Sequence, residues 1–164
     1  MTSVKSCALP DGALLGRFSH NGQYVDCYVA EISGSVALSE YVAAFYTSPV
    51  FKLERLILLW ALSRPSTDSE ARRLADGLTE TFAAWRVESR GAQQLLLADL
   101  QGRTRSWFMV EPLDAPNGQS TALYFGSAVV PGHGYGFRTL LRFHKLYSVA
   151  LLFAAKKQLE ANRG

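Results

Sequence analysis

The sequence predicts an α+β domain with an early strand, two or three helices, an antiparallel meander and a long closing helix packed on the sheet. Three observations carry this reading. From Phe137 to Glu160, apolar residues recur at three-and-four spacing, the period of a helix. Between Phe82 and Val130, strand-like runs alternate with short turns, the pattern of an antiparallel meander. Between the first strand and that meander lie two helix starts, Ser48-Pro49 and Thr67-Asp68-Ser69-Glu70.

Residues 1 to 12 read as a loose arm ended by Pro10-Asp11-Gly12. Ala13 to Phe18 fits a short strand or a turn, and His20-Asn21-Gly22 is a turn signal. Tyr24 to Ile32 is rich in Tyr and Val and reads as a strand. Its alternation sets Tyr24, Asp26 and Tyr28 on one face and Val25, Cys27 and Val29 on the other. One face is therefore expected to be wet or to border a pocket, and the other to be packed.

Ser33-Gly34-Ser35 closes the strand and opens a helix with Leu38, Tyr41, Val42 and Phe45 on its apolar face. Ser48 is a good N-cap, and Pro49 suits the first helical position because its missing N–H has no helical partner there. Phe51, Leu53, Leu56, Ile57 and Trp60 continue this second helix to Ser63-Arg64-Pro65. The Thr67–Glu70 capping box starts a third, with Ala71, Leu74, Ala75 and Leu78 inward and Gly77 near its end. Strands are expected over Phe82–Arg90, Gln93–Leu100, Arg103–Glu111 and Thr121–Val130. Leu95-Leu96-Leu97 and Trp107-Phe108-Met109-Val110 are apolar at consecutive positions, which requires cover on both sheet faces.

The closing helix has one stripe through Phe137, Leu140, Leu141, His144, Tyr147, Leu151 and Ala154. A second, Leu146, Val149, Ala150 and Phe153, widens the apolar face, so cover is expected on more than one side. Arg138, Arg142 and Lys145 form a basic stripe elsewhere. The unbroken apolar part falls short of the about 20 residues that span a bilayer, so no membrane span is expected.

The chain has 164 residues, 48% hydrophobic and 19% charged, which fits one folded domain over 1–164. A formal charge of +3, without a dense basic patch, argues against a nucleic-acid partner. Two cysteines, Cys7 and Cys27, cannot build a disulfide framework and read as reduced thiols. The N-terminus lacks a long apolar run, so the expected location is the cytoplasm.

No motif names a reaction. Gly132-His-Gly134-Tyr-Gly136 stands before a helix, as phosphate-cradling loops do, but the strand and acidic residue of a dinucleotide site do not follow. The glycines serve the turn from sheet to helix. His20, His133 and His144 are scattered, so no metal or cofactor is expected. His144 is the most informative residue. Projection at about 100° per residue sets it on the inner flank, with Tyr147 one turn further on. Arg105, beside the Asp99–Arg103 turn, would clamp a carboxylate if it faced a pocket. Glu54 reads as an ion-pair partner of Lys52, Arg55 or a strand arginine, with catalytic acid as the alternative. Trp60, Trp85 and Trp107 read as core. The expected ligand-binding set is Tyr28, Arg105, Trp107, Tyr124, His144 and Tyr147, with no catalytic residue assigned.

The order of elements resembles the helix-grip architecture of the polyketide-cyclase and START-like superfamily. More narrowly, Gly134-Tyr135-Gly136-Phe137 followed by Phe143-His144 resembles the end of an uncharacterised bacterial family within it, with Arg142 in place of that family's proline. The resemblance implies a curved antiparallel sheet wrapped round the C-terminal helix and enclosing an apolar cavity. It also implies a binder of a small apolar or amphipathic ligand, or a cyclase- or aromatase-like enzyme using His144 or a pocket carboxylate. A third reading, from the basic stripe, is an interaction module with a filled core. A cavity with one or two polar groups favours the binder, and a shifted carboxylate or histidine touching a second polar group favours the enzyme.

Overall fold

A computed structural model describes residues 4–20, 22–62, 65–115, 118–130 and 136–163, and the backbone alone for 57–62, 115 and 136–143. The glycine loop before Gly136 lies outside the described residues. So do the side chains of Arg138, Arg142, Leu140, Leu141, Ile57 and Trp60.

The fold is α+β, with a curved seven-stranded antiparallel sheet and four helices among the described residues. The strands are β1 (Lys5–Ser6), β2 (Tyr24–Ser33), β3 (Thr81–Phe82), β4 (Trp85–Arg90), β5 (Gln94–Asp99), β6 (Thr104–Ala115) and β7 (Gly118–Val129). The helices are α1 (Leu38–Thr47), α2 (Pro49–Leu62), α3 (Asp68–Ala75) and α4 (Gly136–Ala161). A 3-10 turn runs from Leu14 to Phe18, where the sequence left strand or turn open. Sheet order is β1-β2-β7-β6-β5-β4-β3, so the early strand pairs with the last and the meander fills the rest.

Local chemistry explains most boundaries. The Ser48 hydroxyl accepts from Phe51 N–H at 3.3 Å and caps α2, with Pro49 first in the helix. Thr67 and Glu70 bond each other's backbone N–H groups, as a capping box requires. The Arg90 guanidinium donates to the Leu74 carbonyl at 2.7 Å, satisfying the end of α3. Leu78, expected inward, lies beyond the end of α3 and is exposed, and two boundaries also change. The segment 82–90 is not one strand: Ala83, at φ 51°, makes a tight turn that separates β3 from β4. The arm expected to be loose pairs from Lys5 and Ser6 with Val29 and Tyr28 of β2.

Both sheet faces are buried, because consecutive apolar residues split between them. The inner face carries Leu95, Leu97, Phe108, Val110, Leu123 and Phe125 against the four helices. An aromatic cluster fills its middle. Phe45 lies 4.7 Å from Phe108 and 4.8 Å from Phe125, centroid to centroid, and Tyr46 lies 4.6 Å from Phe51. Phe45–Phe108 and Tyr46–Phe51 are edge-to-face, and such pairs contribute about 0.5–1.5 kcal/mol beyond area burial. The outer face carries Leu96, Trp107, Met109, Cys27 and Ala128 beneath the 3-10 turn and the arm. Gln94 fastens that cover. Its Oε1 accepts from Leu14 N–H and from the Trp107 indole, both at 2.9 Å, and its Nε2 donates to the Gly12 carbonyl.

Helix α4 seats Leu151, Leu152, Ala155 and Leu159 in the inner core. Its second apolar stripe is covered only in part: Val149 packs against the inner core, but Leu146 and Phe153 are exposed. No helix among the described residues is long and apolar enough to cross a membrane.

Candidate functional site

The inner core is interrupted near the mouth of the β3–β4 and β5–β6 turns. A cavity of about 280 Å³ opens there between α1, α2, α4 and the sheet. Phe45, Tyr46 and Phe51 wall it from α1 and α2, Trp85 and Phe125 from the sheet, and Leu151 from α4. Polar groups enter from every side: Glu54 from α2, Asp99, Thr104 and Ser106 from the sheet, and His144, Tyr147 and Ser148 from α4. The α4 trio arises from helical spacing, since positions three and four apart share a face.

Two polar centres dominate. The first is Glu54, which accepts a hydrogen bond from the Tyr147 hydroxyl and so links α2 to α4. Burial pushes the Glu54 carboxyl above its usual range, and the Tyr147 bond only partly offsets this. Burial together with the adjacent Glu54 pushes the tyrosine hydroxyl up. The ion pairing expected for Glu54 goes elsewhere: Lys52 and Arg55 both pair with Asp68, at 2.9 Å and 2.5 Å.

The second centre is His144 with Asp26 of β2. Burial pushes the imidazole below its usual range, and the Asp26 charge pulls it back. Asp26 is itself raised by burial and held by His144, by Tyr24, whose hydroxyl donates to Oδ2 at 3.2 Å, and by Ser127 N–H, which donates to Oδ1 at 3.0 Å. The His144 Nε2 atom is shielded from solvent and has no hydrogen-bond partner among the described residues, and the same holds for the Trp85 indole nitrogen. Both residues line the cavity.

The six expected ligand-binding residues divide. His144 and Tyr147 meet in the cavity. Tyr28 faces inward but borders a separate groove of about 760 Å³ beside β2, with Asp26 and Lys145. Trp107, Tyr124 and Arg105 lie on the outer face and do not meet the cavity. Trp107 and Tyr124 belong to the outer core, and Tyr124 donates to Glu111 at 2.8 Å. Arg105 pairs with Glu88 at 3.1 Å and stacks over Phe18. One parity choice on β6 and β7 separates these three from the pocket.

Sequence reasoning missed Trp85, Asp99, Thr104, Ser106 and Ser148 as cavity groups. Ser106 carried the one available signal, a polar residue beginning an apolar strand run. Asp99 is mostly occupied by its turn, where Oδ1 accepts from Arg103 and Thr104 N–H. No group of three or more metal-binding side chains occurs among the described residues. No model of a known protein family matches this chain, and no curated protein matches it significantly in sequence.

Proposed function

We propose that this protein binds a small amphipathic ligand, of one or two rings and with polar groups, in the cavity between sheet and α4. The carrying observation is the pairing of aromatic walls with two shielded polar atoms, His144 Nε2 and Trp85 Nε1, that have no partner among the described residues and belong to two residues lining one cavity. A buried polar group left unpaired costs about 1–3 kcal/mol, and a ligand that answers both recovers it. A volume near the lower end of ligand pockets, about 300–1,000 Å³, suits a compact molecule. The order of elements and the grip of the sheet on α4 support kinship with the polyketide-cyclase and START-like superfamily. The open cavity supports a binder over an interaction module with a filled core. The thiol cysteines fit a cytoplasmic protein.

A second reading is favoured by one observation, the raised Glu54 carboxyl in contact with Tyr147 across from His144. Burial favours the protonated form of this carboxyl, which can donate a proton to a bound ligand, and the neutral form of the imidazole, which can accept one. This is the chemistry of a cyclase-like enzyme.

Native mass spectrometry of protein purified from its source tests the binding reading. A co-purifying small molecule is expected, and His144→Leu should retain it at least tenfold more weakly with the fold intact. Absence of any bound molecule, together with no response of Trp85 fluorescence to a panel of aromatic acids, phenols and amides, overturns it. Conversion of the recovered ligand by wild type but not by Glu54→Gln selects the enzyme reading.

A further inference from the structure

We propose that Cys7 and Cys27 form a dithiol site that a low-molecular-weight disulfide oxidises to an intramolecular disulfide. The two sulfurs lie 3.3 Å apart. The backbone places them independently of side-chain rotation. Lys5 faces Val29 and Ser6 faces Tyr28, so the next pair in this antiparallel register is Cys7 with Cys27. Cys7 N–H donates to the Cys27 carbonyl at 3.0 Å, which continues the ladder. Opposite residues in such a pair have Cα atoms about 5.5 Å apart and side chains on the same face. That separation falls inside the about 4.4–6.8 Å window of disulfides. Closing the bond therefore needs side-chain rotation and a small approach of the two strands, since a disulfide also holds its Cβ atoms about 3.5–4.5 Å apart.

Access and order of reaction follow from burial. Cys27 is buried in the outer core, whereas Cys7 is half-buried, and both line the groove of about 760 Å³ beside β2. Burial also pushes the Cys27 thiol up, which leaves Cys7 as the entry point. Cys7 loses its proton to solvent and attacks one sulfur of the incoming disulfide. That S–S bond breaks, one thiol leaves, and a mixed disulfide stands on Cys7. Cys27 then loses its proton, attacks the Cys7 sulfur and releases the second thiol. One external disulfide is reduced to two thiols while the two protein thiols are oxidised to one cystine. The link closes the loop from Cys7 to Cys27, which contains the 3-10 turn covering the outer core.

Incubation of the folded protein with glutathione disulfide tests this. Wild type should lose both titratable thiols and two hydrogens of intact mass, and a non-reducing peptide map should join Cys7 to Cys27. Cys27→Ser should stop at a glutathione adduct on Cys7, and Cys7→Ser should keep an unmodified Cys27 thiol. The oxidised wild type should melt about 5–10 °C higher than the reduced form. A wild type that keeps both thiols, holds a stable glutathione adduct, links into dimers or melts no higher after oxidation overturns the proposal.

Discussion

Replacing Glu54 with Gln isolates the most unusual charge in the molecule. Gln keeps the shape and still accepts from Tyr147, at the about 0.5–1.5 kcal/mol of a neutral hydrogen bond. What disappears is the carboxylate whose desolvation outweighs that bond. The sign follows from proton counting. Between the unfolded pKa, about 4.3, and the raised folded value, the native state holds more protons than the unfolded chain, so stability falls as pH rises. Below about 4.3 both states are protonated and the penalty vanishes. Above the folded pKa it is complete, at about 1.4 kcal/mol for each unit of elevation. Tyr46 and Tyr147 face Glu54 and are pushed above their usual range, so they do not titrate in this window. His144, whose pKa is lowered, adds stability as pH rises through its own folded value, and Asp26, raised, removes it. Both contributions are common to wild type and variant and cancel in their difference. Urea unfolding at pH 4 to 8 and fixed ionic strength, followed by tryptophan fluorescence, measures that difference. The variant's relative stability should climb from near zero at pH 4 to a plateau in its favour. A difference that ignores pH, or one that turns against Glu54→Gln as pH rises, refutes the reasoning.

Three further outcomes follow from the packing. Gln94→Leu removes the acceptor shared by the Trp107 indole and Leu14 N–H and should cost about 1–3 kcal/mol in urea unfolding. Gly126→Ala builds a Cβ 2.8 Å from the Asp26 carbonyl oxygen and from Leu15, so overpacking should destabilise by about 1–3 kcal/mol or more in the same assay. Phe108→Ala, in the aromatic cluster at 0% exposure, should cost about 3–5 kcal/mol in thermal or urea unfolding.

The boundaries legible in the sequence were those written in local chemistry. Ser48-Pro49 and Thr67–Glu70 announce their helices because capping is a contact between near neighbours. The strand from Tyr24 and the packing of α4 on the sheet follow from period and order, whereas the pairing of that strand with β7 appears only in the structure. Ala83 announces nothing: its turn has no Gly, Asn or Pro, and only pairing of Phe82 with Trp85 reveals it. The site was harder for a related reason. Trp107, Tyr124 and Arg105 sit on strands apolar at consecutive positions, where alternation cannot say which face turns to the helices. Helical projection did bring His144 and Tyr147 together. Glu54, the partner of Tyr147, lies 93 residues away in sequence, a distance no local pattern bridges.

The pairing of β2 with β7 has a consequence for synthesis. Tyr24 finds its partner at Val129, and the ten-residue seam has no irregularity that would let it close in part with another strand. As the chain leaves the ribosome, β2 therefore waits from 87 residues (Ser33 to Ser120) to 105 residues (Tyr24 to Val129) for its partner. At about 5–20 residues per second that interval lasts roughly 5–20 s. Until β6 and β7 are made, Tyr41, Phe45 and Tyr46 lack Phe108, and Phe45 lacks Phe125, on the sheet side of their cluster. The segment from Tyr24 to Phe51 is thus aggregation-exposed in the nascent chain until the last strand is made.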